Sequence, residues 1–194
     1  MDRISVSALE KLMLMGEHSV VYGHPCLVAA INKRITVTIE KSTKDDWPNS
    51  KFIDSAVKIF RATNNISQPL KITTASDFSA NYGLGSSSAV TAATVFGLFN
   101  LFFNNLSHPV IPSDPPAGGE SRDLSQIKFG EKDSSTCPDV RRDAVGMTEK
   151  EQPNKKELFN FCYQVVLEVQ GVSSGFDVAA AVYGGVLYFV TGGK

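Results

Sequence analysis

The sequence predicts a mixed α/β fold, and three segments carry that prediction. Residues 31–40 alternate β-branched apolar with polar side chains over their second half, which is typical of a strand with one buried face. Residues 51–63 place their large apolar side chains at helical spacing, so an amphipathic helix is expected. Residues 83–88 form a small-residue turn that leads into an apolar run ending at Phe103, which indicates a buried helix.

The remaining elements follow in chain order. Residues 27–30 lead into the strand predicted at 31–40. Nearer the start of the chain, Lys11 precedes a short apolar strand. The patterns then predict a strand at 70–75, a helix with one apolar face from 155 to 171, a small-residue helix at 177–183 and a strand at 186–190. No internal repeat is evident.

Residues 104–154 differ in composition from the rest, with many prolines and charges and few large apolar groups. We expect little regular structure there, because the stretch far exceeds the ~4 to 6 residues of an ordinary connection. It is interpreted as a disordered insertion or a corrupted reading frame. The predicted organisation is one domain made of residues 1–103 and 155–194, with 104–154 as a Pro/Gly-rich insertion.

The bulk composition excludes several classes of function. A formal net charge of −1 gives no broad positive field, so nucleic acid is not an expected partner. The three cysteines are odd in number and widely spaced, which favours reduced thiols in a cytoplasmic protein. The longest uncharged, mostly apolar run, residues 89–103, is shorter than the ~20 residues that span a bilayer. A soluble cytoplasmic protein is therefore expected, with no membrane partner.

The turn before the buried helix is a candidate phosphate site. Residues without bulky side chains let backbone amides approach an anion at the positive end of a helix. A serine hydroxyl there can also ligate the magnesium ion of a nucleotide. The alternative is an ordinary serine-capped helix, and the pattern matches neither GxxxxGK[ST] nor GxGxxG. The candidate residues are Gly83, Leu84, Gly85, Ser86, Ser87 and Ser88.

Two charged segments are candidates to complete a site with this turn. Near the start of the chain, Lys11 precedes apolar residues, and Glu17 and His18 follow a glycine. Taken alone, these residues are a solvated strand end and a surface turn. Near the other end, Asp177 opens an Ala-rich helix, either as a cap matched to the helix dipole or as a base that faces a substrate. The patterns alone leave these alternatives open.

The three segments together resemble the GHMP kinases, in the order that family uses. KLMLMGEHSVVYGHPCLVAAI is similar to the opening motif in the mevalonate kinase branch of the family. GLGSSSAVTAA looks like the phosphate-binding motif, and SSGFDVAAAVYGG looks like the segment that carries the catalytic aspartate. The likeness covers residues 5–103 and 155–192.

The resemblance implies an α/β (α+β) two-layer fold, similar to ribosomal protein S5 domain 2. It implies phosphorylation of the 5-hydroxyl of mevalonate in isoprenoid biosynthesis, with ATP and Mg²⁺ as cofactors. Lys11 and Asp177 match catalytic residues, the aspartate as the base. Residues 83–88 match the ATP-binding residues, with Ser87 as the magnesium ligand, and Glu17 and His18 match the substrate pocket. The implied partner is a mevalonate-like alcohol, and a homodimer stays open.

The chain departs from the family pattern in several places. Leu9 and Glu10 stand where the opening motif usually has Pro-Gly. Val166 occupies the position of the magnesium-binding glutamate, and the nearest acid, Glu168, lies about 200° further round a helix. The chain also ends before the carboxy-terminal domain of the family, so we expect a truncated form whose activity is in question.

Two alternatives remain beside a kinase for mevalonate. One is a sister kinase that acts on phosphomevalonate, homoserine or a sugar. The other is a non-catalytic nucleotide-binding fragment, because elements that pack against a missing domain would expose an apolar patch.

Overall fold

The computed structural model describes residues 2–77, 84–103 and 154–191. Within these ranges the helices and strands mix along the chain, and the predicted α/β fold is confirmed. The elements are β1 (Arg3–Met15), β2 (Cys26–Lys41), α1 (Lys51–Asn64), β3 (Leu70–Ser76), α2 (Ser86–Phe103), α3 (Lys155–Gln170), α4 (Phe176–Tyr183) and β4 (Val186–Phe189).

The largest difference from the predicted elements is at the amino terminus. Strand β1 begins at Arg3 and runs through Lys11, whereas the sequence pattern predicted a strand only after that lysine. The reason is that residues 4–8 alternate buried apolar side chains with half-buried serines and pair along β2. Lys11 is therefore not a solvated strand end, and its side chain is only 12% exposed.

The sheet is antiparallel throughout, and β2 is its central strand. Strands β1 and β3 pair with β2 on opposite sides, with Val6 opposite Val37 and Ile39 opposite Ile72. Strand β4 pairs with the first residues of β2, where Val28 lies opposite Leu187. The pairing of β1 with β2 shifts between Leu9 and Glu10, and this irregularity lies next to the candidate site residue Lys11.

The helices cover one face of the sheet, and α2 lies at the centre of this layer. It contacts β1 and β2 on one side and α1, α3 and α4 on the other. Gly97 allows the close approach to the sheet, because a Cβ atom there would lie 2.9 Å from Cδ1 of Ile39. An aromatic cluster centred on Phe60 joins α1 to α2 and α3. Burial of these apolar side chains is the main stabilising contribution.

Helix α2 is also long and apolar enough to cross a membrane, judged by length and composition alone. Most of it is buried between the sheet and the other helices, as in the core helix of a domain. Residues 104–153, which make up nearly all of the predicted insertion, lie outside the described residues. Asn154, assigned to the insertion by composition, is the N-cap of α3 and forms a capping box with Glu157.

Candidate functional site

The turn before α2 is bonded directly to β1. The backbone N–H of Lys11 donates to the carbonyl of Leu84 at 2.8 Å. Gly85 has a φ of +87°, and a Cβ atom there would lie 2.7 Å from Cγ of Lys11. Only a glycine lets the lysine stem pass so close to the turn. Lys11 and the start of α2 are therefore held together by the backbone.

The side chain of Lys11 meets α4 at the same place. Its Nζ atom lies 3.1 Å from Oδ1 of Asp177 and 5.0 Å from the ring centroid of Phe176. Helix α4 is held there by a second apolar cluster, in which Phe176 and Ala180 pack with Val28 and other residues of β2 and β4. The packing of α4 on the sheet thus places Asp177 next to Lys11.

The environment of Asp177 favours a carboxyl that can accept a proton. Burial raises the pKa of Asp177; the charge and hydrogen bonding of Lys11 oppose the rise, and the charge of Glu17 adds to it. In the described part of the chain, the polar contact of this buried Oδ1 atom is with Nζ of Lys11 at 3.1 Å. A hydroxyl group of a substrate would supply a further donor.

These residues line one cleft with a volume of about 570 Å³. Its apolar wall is formed by Ile35, Phe52 and Val90 together with Leu84. The N–H groups of Ser86 and Ser87 precede the first bonds of the helix, which the N–H groups of Ser88 and Ala89 make to Gly85, so these two can face an anion. The predicted site residues that the structure brings together here are Lys11, Leu84, Gly85, Ser86, Ser87 and Asp177.

Ser88 does not belong to this lining. Ser88 is 2% exposed, and its N–H donates to the carbonyl of Gly85 at 3.0 Å, so this N–H group is used within the turn. Gly83 lies outside the described residues.

Glu17 and His18 lie in the turn after β1 and are both exposed. Neither lines the cleft in the described part of the chain. Glu17 is still near enough for its charge to act on the pKa of Asp177. Of the two predicted pocket residues, Glu17 is therefore connected to the site by its charge.

Glu10 is a residue of this region that the sequence patterns did not select. It is fully buried, and neither of its carboxylate oxygens has a hydrogen-bond partner of good geometry. Burial raises the pKa of Glu10 to about 7; the Ser86 hydroxyl and the charge of Lys11 oppose the rise, and Asp177 adds to it. The sequence did contain an indication of this: Glu10 follows Val6 and Ala8 at every second position of β1, so it lies on the buried face of the strand.

Position 166 in α3, where the family resemblance implied a magnesium-binding glutamate, is occupied by a valine. Val166 is buried in the core, and Glu168 forms an ion pair with Lys58 at 2.8 Å on the surface. The described residues also contain no group of three or more His, Cys, Asp or Glu side chains placed to hold a metal ion.

Comparison with known proteins places the chain beside one family of kinases. The family model described as GHMP kinases N terminal domain matches residues 51–111. The mevalonate kinase of Archaeoglobus fulgidus is 28% identical over 94% of this chain and 51% of its own length. The mevalonate kinase of Pyrococcus abyssi is 30% identical over 97% of this chain and 52% of its own length. The chain thus spans about half the length of the curated relatives it matches.

Solved structures show the same fold. The Methanococcus jannaschii mevalonate kinase superposes with a TM-score of 0.67 at 20% identity, covering 98% of this chain and 54% of that one. The Streptococcus pneumoniae phosphomevalonate kinase gives a TM-score of 0.66 at 18% identity, covering 98% and 49%. A homoserine kinase from Cytophaga hutchinsonii gives 0.59 at 18% identity, covering 97% and 48%. The resemblance to the GHMP kinases seen in the sequence is confirmed: the chain matches the model of their N-terminal domain over residues 51–111 and is similar in fold to solved members of that family.

Proposed function

We propose that this chain forms the nucleotide-binding half of an ATP-dependent kinase that phosphorylates the 5-hydroxyl of mevalonate. The observation that carries the proposal is the meeting of Lys11, Asp177 and the serine turn of α2 in one cleft. A cation, a buried carboxyl and the N-terminus of a helix are the three groups that a phosphoryl transfer to an alcohol requires. The curated relatives named mevalonate kinase favour mevalonate as the acceptor.

The roles follow from the chemistry of each group. The N–H groups at the start of α2, with Ser86 and Ser87, hold the phosphates of ATP. Asp177 takes the proton of the substrate hydroxyl as its oxygen attacks the γ-phosphorus and the bond to the ADP oxygen breaks. Lys11 neutralises charge that develops on the transferred group, and it orients the carboxyl of Asp177.

The residues present fit a divalent cation at this site. Ser87 lines the cleft, and beside it the buried carboxyl of Glu10 has the Ser86 hydroxyl as a neighbour and no hydrogen bond of good geometry. When bound, magnesium supplies positive charge that neutralises phosphate oxygens. Glu17 and His18 are proposed to contact the acceptor at the margin of the cleft. The proposed location is the cytoplasm, and the proposed pathway is isoprenoid biosynthesis.

The test is a panel of acceptors incubated with ATP and Mg²⁺, with ADP release and product mass as readouts. We expect turnover with mevalonate above that with phosphomevalonate, homoserine or a sugar. A clear preference for another member of the panel would contradict mevalonate as the acceptor and favour a sister kinase. Calorimetric binding of ADP without turnover of any acceptor would favour the non-catalytic fragment.

A further inference from the structure

Glu10 is a buried acid whose position has no structural explanation. Its exposed fraction is 0%, and both carboxylate oxygens lack a hydrogen-bond partner of good geometry. An isolated carboxylate in such a place is costly, so buried acids in folded proteins are normally paired, hydrogen-bonded or bound to a metal ion. No ion pair involves its carboxylate among the described residues. The Ser86 hydroxyl is the one neutral group that acts on the carboxyl, and a ligand in the cleft would supply further partners.

The surroundings of Glu10 place it at the phosphate end of the cleft. The irregular pairing between β1 and β2 occurs at Leu9 and Glu10, one residue before Lys11. The groups whose charge or hydroxyl acts on the carboxyl are Ser86, Lys11 and Asp177, all of which line the cleft. Glu10 itself does not line the cleft, whereas Ser86, whose hydroxyl interacts with the carboxyl, does.

The sign of the charge at this site decides which ligand fits. Two acidic side chains, Glu10 and Asp177, lie beside one basic side chain, Lys11, so their formal charges sum to −1. A polyphosphate alone meets like charge there. A divalent cation reverses the sum to +1, and its preferred ligands are carboxylate, hydroxyl and water oxygens. Glu10 beside Ser86 therefore suits a hydrated cation better than it suits an anion.

We propose that Glu10 holds the divalent cation of the phosphate site, acting through the Ser86 hydroxyl and water. The inference rests on the proposed function, because the cation is the one that accompanies a nucleotide. Beyond the proposed function, it states that a divalent cation strengthens nucleotide binding by this chain and that Glu10 is needed for this effect. Glu168 is not needed for it.

The experiment measures ADP binding by titration calorimetry with Mg²⁺ and without it, for the wild-type chain, Glu10→Gln and Ser86→Ala. In the wild type, Mg²⁺ strengthens ADP binding. In E10Q we expect this enhancement to fall about 10- to 100-fold, the usual effect of removing a group that supports a metal ligand. Metal-free ADP binding should become tighter, because a like charge has been removed. S86A should reduce the enhancement in the same direction.

Glu168→Gln is the matched control. It removes an acid of the same type that is paired with Lys58 on the surface, and it should keep the wild-type enhancement. An enhancement that survives in E10Q, or is lost in E168Q, would overturn the proposal. Equal weakening with and without Mg²⁺ would also overturn it, because that result indicates a merely structural role. Circular dichroism verifies that each variant is folded.

A second measurement separates this inference from the proposed function. Mn²⁺ alone is titrated into each protein and followed by electron paramagnetic resonance. A bound signal in the wild type that is absent in E10Q supports the cation site even if ADP does not bind. Failure of ADP to bind the wild type under all conditions contradicts nucleotide binding, and equal Mn²⁺ binding by the wild type and E10Q contradicts the role of Glu10.

Discussion

The Nζ atom of Lys11 lies 3.1 Å from Oδ1 of Asp177, although the two residues come from opposite ends of the chain. The lysine is anchored by the bond of its backbone N–H to Leu84, and the aspartate by the packing of α4 on β2 and β4. The ion pair therefore joins three elements: strand β1, the turn before α2, and helix α4.

Asp177→Asn should abolish phosphoryl transfer without weakening ADP binding. The amide keeps the shape of the carboxyl but cannot take a proton, and a general base contributes about 10²- to 10⁴-fold to rate. The measurement is kcat with ATP and mevalonate beside calorimetric titration of ADP. Asp54→Asn, which changes a surface acid bonded to Trp47, is the control with wild-type turnover. Turnover retained in D177N would contradict its role as the base.

Lys11→Met should raise the pKa of Asp177 further. Burial already holds this pKa above its ordinary value, and the lysine opposes that effect. When the pKa of an acid is higher in the folded than in the unfolded protein, the protein is destabilised as the pH rises from the unfolded-state pKa to the folded-state pKa. In that range the acid ionises freely only in the unfolded state. The stability of K11M should therefore decline over a wider range of pH than that of the wild type. Carboxyl ¹³C NMR of Asp177 measures the pKa, and an unchanged value would show that the ion pair has no energetic effect.

Gly85→Ala should lower both the free energy of unfolding and the affinity for ADP. Its Cβ would force the stem of Lys11 away from the turn, in addition to the backbone cost of about 1–2 kcal/mol at positive φ. Gly171→Ala is the matched control, because it has a φ of +76° and nothing within 4 Å of its Cβ. We expect G85A to cost about 1–3 kcal/mol more than G171A in urea unfolding. Equal losses would mean that the contact with Lys11 is unimportant.

Asp45→Asn should destabilise the domain away from the site. Both carboxylate oxygens of Asp45 accept from the Arg61 guanidinium, at 2.7 and 2.8 Å, and Oδ1 also accepts from the N–H of Leu70. Bonding to Arg61 lowers the pKa of Asp45, so its stabilising effect is present above the ordinary value and lost as the pH falls through the lowered one.

Because the pair is partly exposed, the expected loss in D45N is at most about 1 kcal/mol near neutral pH. Thermal unfolding of the wild type and D45N should differ at neutral pH and converge in acid. A difference that persists unchanged in acid would assign the effect to packing rather than to charge.

Much of the secondary structure could be read from local pattern. The period of two in β2 and the helical spacing in α1 depend only on residues near in sequence, and the observed elements follow them closely. The glycine and serine residues before α2 likewise indicated a turn at a helix N-terminus, and Gly85 has the positive φ that such a turn requires. The family likeness was also present in these short segments.

The sequence by itself therefore determined most of the elements, the family likeness and the candidate groups Lys11, Ser87 and Asp177. Only the tertiary structure decided that Lys11 pairs with Asp177, that Glu10 is buried beside Ser86, and that His18 is exposed. The physical reason is that periodicity is set by neighbours along the chain. Burial and charge pairing depend on strand register and helix packing between residues that are distant in sequence.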